Sequence, residues 1–559
     1  MHQEDHHKRG RFENLEIYII IGHLLLVLGI RLYYFTGPIF ANTQDEGIYL
    51  NLLANAVIRH NYLIFTQYRN VNFSNTNQYM LNPANIPSFY SGLLAPEIFL
   101  LTIFNFSSNL AIYYIIFNSL IEALFIYLIL REISTMRAAV MATILFAFFP
   151  LDVIFSNHIQ PLVPAMALIT AATYTFIKSE KDTKMKVKTR IIYYIVTGIL
   201  IGLGYLTNPL SLLLGVFIVL FELFKLSKEI NEKSFKSIAI KLAFVFVGFM
   251  IAFSITGLYY YAQSGNFFLY PSVDHAGAVN NALTQPKGTV FEVDNINVTR
   301  TDVQKLFYLP IIFDLSSYDQ YHSSYFSLIG YLGIVFAAVI VFRKVKYGRF
   351  FVSMLVLYLV LLNFTPLAFV SIAGKLQIFL VYMEPMLITP LTLPFIAIVA
   401  LGLEELLSRR EKVFMVIALI IILATIIVAV KDLNSDTSYY RSSVASIYSF
   451  ESFAAQHQNS TFYAYPLIAD EINDISSYRY NVRYLLNCSQ LYTYETVFKN
   501  NTYVFTGGSM GMDVSPGIIR DFSACTQNNI SNYSSLAYTA NNPFDNMSPV
   551  KIYRINYTQ

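Results

Sequence analysis

Apolar runs recur along the chain near residues 15–36, 86–104, 110–130, 139–157, 161–178, 191–213, 214–226, 240–262, 323–342, 350–370, 376–403 and 413–431. Runs of about 18 or more apolar residues carry the pattern of membrane-spanning helices. Beyond about residue 432 the pattern changes. "STFYAYPLIAD", "NNTYVFTGG" and "PVKIYRINY" alternate like short strands separated by turn residues, and "SYYRSSVASIYSFESFAAQH" has helical spacing. The pattern predicts an α-helical polytopic membrane domain over 1–431 and a small α/β domain over 432–559.

Composition agrees with that division. Of 559 residues, 55% are hydrophobic and 13% are charged, and the mean hydropathy is +0.49. A net charge of +3 gives no reason to expect a nucleic-acid partner; where the cations sit matters more. Basic loops at 131–137, 178–190, 225–241, 343–349 and 408–412, with the basic N-terminal segment, are expected to face the cytoplasm. This places the N-terminus inside, the 263–322 loop outside and the C-terminal domain outside. It predicts a multi-pass cell-membrane protein of about 11 spans. The run at 86–104 then cannot cross, and its internal Pro96-Glu97 suits a re-entrant or interfacial segment. Asn-x-Ser/Thr tripeptides, at Asn72, Asn105, Asn297, Asn459 and Asn487 among others, fall outside every loop assigned to the cytoplasm.

The two cysteines, Cys488 and Cys525, both fall in the C-terminal domain, where an extracellular setting permits a disulfide; two free thiols are the alternative. Trp is absent, so Tyr supplies most of any interfacial aromatic belt.

Asp45 and Glu46 adjoin each other just past the first apolar run, in "TQDEGIYLNLL". Acids in the first turn of an amphipathic helix are favoured by its dipole, which is reason enough for a pair there. Carboxylates at a membrane surface also remove protons from hydroxyls or hold a metal. The polar stretch that follows, rich in Asn and Tyr, suits a polyhydroxylated ligand. Arg31 lies within the first apolar run, where a cation needs a partner: Asp45, a bound phosphate or another carboxylate.

Several blocks, in order, resemble GT-C fold membrane glycosyltransferases of the protein O-mannosyltransferase and aminoarabinose transferase superfamily. They are "RLYYF", "DEGIYLNLLANAVIRH", "IPSFYSGLLAPEIFLLTIF", "FIYLILREISTMRAAVMATILFAFFPLDVIFSNHIQPLVPAMAL" and "KLQIFLVYMEPMLITPLTLPFIAIVALGLEELL". The resemblance covers roughly residues 15–430. The low cysteine count and the many Asn-x-Ser/Thr tripeptides suit an archaeal surface-glycosylation enzyme. It implies transfer of a sugar from a polyprenyl (dolichyl) phosphate donor to a protein, glycan or lipid acceptor at the outer face, among membrane lipids. It implies Asp45 as general base with Glu46 beside it, and Arg31 and Lys375 as phosphate-binding cations. Lys375 otherwise anchors a span end.

The chain departs from the family in its second outer loop. "SNHIQPLVP" carries His158 and Gln160 where many relatives have an acid. His158 either contacts phosphate or metal or is an ordinary interfacial side chain. Asp274-His275 is a further candidate pair, with loop solvation as its alternative. No cofactor is assigned, and a divalent metal is possible. An oligosaccharyltransferase using a lipid pyrophosphate donor, a transporter and a non-catalytic scaffold are the competing readings.

Overall fold

The computed structural model describes residues 2–35, 108–157, 162–182, 184–228, 232–264, 267–268, 290–292, 325–345, 347–364, 367–372, 375–380, 385–409, 412–464, 480–484, 502–506, 534–542 and 545–555. The chain divides into two units, one of Met1–Tyr34, Ile116–Ser156 and Pro161–Leu433, the other of Phe35–Ile115, Asn157–Gln160 and Asn434–Gln559.

The first unit is a helical bundle. Its helices are α1 (His2–Tyr34), α2 (Ser108–Ile133), α3 (Met136–Ala147), α4 (Pro150–Phe155), α5 (Leu162–Lys181), α6 (Val187–Thr207), α7 (Leu212–Lys228), α8 (Glu232–Ser264), α9 (Ser327–Arg343), α10 (Gly348–Phe364) and α11 (Thr392–Ser408). The last helix, α12 (Lys412–Gln456), runs on without a break into the second unit. Among the described residues, eight helical segments are long and apolar enough to cross a membrane, and three shorter apolar helices accompany them. Burial sorts them. The window over Leu162–Lys181 is 83% buried, whereas those over Phe235–Ile255 and Lys412–Asn434 are 17% buried. The first belongs to the protein interior. The other two present apolar faces that only lipid suits, because water would expose them at about 25 cal/mol per Å².

Small residues set the tightest crossing. A Cβ built on Gly198 of α6 falls 1.9 Å from the Val245 carbonyl oxygen of α8, and one on Gly248 falls 2.0 Å from that of Ile195. The two backbones touch, as small residues allow between helices that no hydrophobic effect drives together in lipid.

Three expected elements differ from the chain as folded. The run 139–157 is not one span but α3 and α4, because Phe149 is extended and Pro150 opens α4, which has no N–H to continue the ladder. The run 350–370 ends as helix at Phe364, before Pro366. From there Leu367–Ile372 (β2) and Lys375–Leu380 (β3) pair antiparallel, and Val290–Glu292 (β1) adds to β3. Aromatic and β-branched residues around Ala373-Gly374 favour a hairpin over a helix. The expected span over 376–403 is therefore helical only from Thr392, after a 3-10 segment at Pro385–Leu391. The basic N-terminal segment is helical from His2.

The second unit carries a five-stranded mixed sheet in the order β5-β4-β6-β8-β7, from Thr461–Ala464 (β4), Asn481–Tyr484 (β5), Thr502–Thr506 (β6), Ser534–Asn542 (β7) and Asp545–Ile555 (β8). β4 runs parallel to both β5 and β6; β8 runs antiparallel to β6 and β7. Phe450 on the last turns of α12 packs edge-on against Phe462 and Phe505, at 5.0 and 5.4 Å between ring centres, and closes this small core.

Candidate active site

The break between α3 and α4 creates a polar need within an apolar bundle. A helix end leaves carbonyls without intrahelical partners. Arg31, in the last turn of α1, meets that need: its Nη1 donates to the Ala147 carbonyl at 2.7 Å and its Nη2 to that of Phe146 at 3.3 Å. The guanidinium thus sits where a helix C-terminus favours a cation, 5.2 Å from the Phe146 ring centre.

Nη2 also pairs with Asp152 Oδ2 at 2.5 Å, with the two side chains 0% and 6% exposed. Asp152 lies in the first turn of α4, where the dipole favours an acid. Ser119 of α2 joins the pair, donating to Asp152 Oδ2 at 2.7 Å and accepting from Arg31 Nε at 3.2 Å. One helical turn on, Glu122 is 1% exposed, and its Oε2 has no hydrogen-bond partner. Asp152 and Arg31 are its electrostatic neighbours. Four segments are thereby tied together, directly before the chain leaves α1 at Phe35.

Of the partners expected for Arg31, the described residues bring it a carboxylate, Asp152. Its guanidinium is enclosed, with Nε, Nη1 and Nη2 all donating within the protein. Lys375 is the first residue of β3 and pairs in register with Ile372, so it does not enter a helical span; its side chain lies outside the described residues. Asp45, Glu46, His158, Asp274, His275, Cys488 and Cys525 also lie outside the described residues. Among the described residues no three His, Cys, Asp or Glu side chains gather as metal ligands.

The sequence reading missed Asp152, Ser119 and Glu122. The signal was present: an acid within an apolar run is as telling as Arg31 itself. The same holds for a second cluster at the opposite helix ends. Lys241 of α8 bonds Glu222 of α7 at 2.7 Å and Glu180 of α5 at 2.8 Å, and Lys225 reaches the same acids at 2.8 and 3.2 Å. Tyr194 of α6 donates to Glu180 at 2.8 Å. This cluster bolts four helices together.

Known proteins place this architecture. The family pattern of dolichyl-phosphate-mannose-protein mannosyltransferases matches residues 98–256. The structure of ArnT from Cupriavidus metallidurans bound to undecaprenyl phosphate superposes with a TM-score of 0.53 at 9% identity, covering 95% of this chain and 98% of that one. The archaeal oligosaccharyltransferase AglB from Archaeoglobus fulgidus, in complex with an inhibitory peptide and a dolichol-phosphate, gives 0.45 at 14% identity, covering 89% and 69%. The Saccharomyces cerevisiae protein O-mannosyltransferase complex bound to the sugar donor gives 0.32 at 20%, covering 45% and 34%. No curated protein sequence matches the chain. The chain has the GT-C fold, as a multi-pass membrane protein with a small sheet domain.

Proposed function

We propose that the chain is a membrane glycosyltransferase that moves one sugar from a polyprenyl-phosphate donor to a protein, glycan or lipid acceptor. The observation that carries this reading is the mannosyltransferase family match over 98–256, in a chain that follows nearly the whole length of the ArnT fold. The undecaprenyl phosphate in that ArnT structure supports the same class of lipid carrier for this chain.

In this reading the first loop meets the donor at the outer membrane surface, with the N-terminus in the cytoplasm and residues 432–559 outside. The Asp45 carboxylate takes the proton from the acceptor hydroxyl or amide. The acceptor atom attacks the anomeric carbon, the bond from that carbon to the phosphate oxygen breaks, and the configuration inverts. The lipid phosphate leaves with the electron pair, steadied by Lys375. Glu46 orients the site. His158, Asp274 and His275 are candidates for the sugar and phosphate contacts, and the C-terminal unit selects the acceptor. Arg31 acts through position: with Asp152 it fixes the end of α1 at Tyr34, eleven residues before Asp45.

The test is transfer from radiolabelled polyprenyl-phosphate sugars in membranes carrying the wild type or Asp45→Asn. Loss of transfer in a variant that accumulates and folds normally supports the base role. Equal transfer from both, or none from the wild type across a broad donor panel, sinks the reading. Transfer from pyrophosphate-linked oligosaccharides alone reassigns the donor.

A further inference from the structure

A cleft opens between the end of α5, the end of α7 and the turn joining α9 to α10. It encloses about 380 Å³, walled by Phe176, Phe221, Phe350 and Phe351, with Phe224 exposed at its mouth. Lys225, Glu180 and Arg349 supply its charged rim. The turn is strained into place: Lys344 and Tyr347 adopt left-handed φ values of 55° and 60°, and Tyr347 lines the cleft. Non-glycine residues hold such a conformation only when their surroundings dictate it.

The charge balance of the rim is specific. Glu180 and Glu222 are matched by Lys225 and Lys241. Arg349 is additional: it is exposed, no carboxylate lies within ion-pair reach among the described residues, and its one hydrogen bond is a long 3.5 Å contact to the Val341 carbonyl. The cleft therefore carries one positive charge over an aromatic wall. Lys225, 42% exposed at its side chain, lies 4.6 Å from the Phe221 ring centre and leaves its outward side open. The exposed face of α7, with Val216, Leu220 and Leu223, continues the apolar surface away from the rim.

We propose that this cleft binds one anionic phospholipid. Its phosphodiester, with a single negative charge, pairs with Arg349 beside Lys225, and an acyl chain lies on the phenylalanine wall and runs down α7. The site stands apart from the Arg31–Asp152 network and does not depend on the glycosyltransferase reading.

Native mass spectrometry of the full, delipidated chain offered equal phosphatidylglycerol and phosphatidylcholine tests this. One basic contact at a lipid surface corresponds to a preference of about fivefold, so the wild type is expected to retain phosphatidylglycerol by that factor and Arg349→Gln to lose the preference. Lys188→Gln, an exposed cation outside the cleft, is the control and is expected to keep it. A wild type without preference, an Arg349→Gln protein that keeps it, or equal loss in Lys188→Gln overturns the site. Displacement of the bound lipid by inorganic phosphate alone overturns the lipid as occupant in favour of a free-phosphate site.

Discussion

Lys241 of α8 closes on Glu222 of α7 at 2.7 Å with side chains only 9% and 1% exposed. Neither residue sits in a loop, although Lys241 ends the basic stretch "KLSKEINEKSFKSIAIK". Lys241 turns inward and meets Glu180 and Glu222 rather than water.

Lys241→Met leaves Glu222 buried with Lys225 alone. Stranding a buried charge completely costs about 3–5 kcal/mol, and the remaining lysine lowers that to about 2–3. Thermal unfolding in detergent should show the loss, and adding Glu222→Gln should recover roughly half of it. A Lys241→Met protein as stable as the wild type would mean the cluster is solvated.

Asp152→Asn and Arg31→Met each break the α1–α4 pair and should each lower stability by about 3–5 kcal/mol. The double variant Arg31→Met/Asp152→Leu should be more stable than either, because neither member of the pair is left without the other. Transfer activity separates position from charge. If Arg31 acts by fixing the end of α1, the double variant stays less active than its recovered stability warrants, with kcat reduced and donor KM little changed. A raised donor KM at normal kcat would instead mean direct phosphate contact.

Gly198→Ala should prevent α6 and α8 from closing, since the added carbon would stand 1.9 Å from a carbonyl oxygen. The expected result is loss of the folded form in size-exclusion chromatography. Gly22→Ala is the matching control: nothing lies within 4 Å of a carbon added there, and helix propensity favours Ala by up to about 1 kcal/mol.

Hydropathy made most of the bundle legible. The runs at 110–130, 161–178, 240–262 and 413–431 each fall on a helix, because a span must satisfy its backbone internally and only a helix does so within one segment. The run 323–342 is helical from Ser327, and the run 191–213 overshoots α6, which ends at Thr207 before the extended Asn208 and a 3-10 turn at Pro209–Ser211. Hydropathy fails where apolar residues are not continuous helix. The sequence "LAFVSIAGKLQIFL" is as apolar as a span, yet it folds as a hairpin. "FAFFPLDVIF" hides a helix break whose proline and aspartate were both visible. Arg31 was readable as a residue in need of a partner, but the partner was not, because Asp152 lies far along the chain and pairing across such a distance leaves no local trace. The GT-C resemblance supplied what periodicity lacks, an expectation of chemistry for the residues that follow the first helix.

That pairing also bears on how the protein is made. Arg31 leaves the ribosome 121 residues ahead of Asp152. During that interval its guanidinium lacks its ion-pair partner, and at the centre of the lipid core an unpaired cation costs about 2.5–3.5 kcal/mol. The first helix must therefore wait with its last turn drawn toward the membrane surface. It settles to full depth only when α3 and α4 arrive with their free carbonyls and their acid. The segment synthesised first is among the last to be locked in, so a nascent chain stopped before residue 152 should hold its first helix loosely, open to the quality-control machinery that extracts unassembled spans.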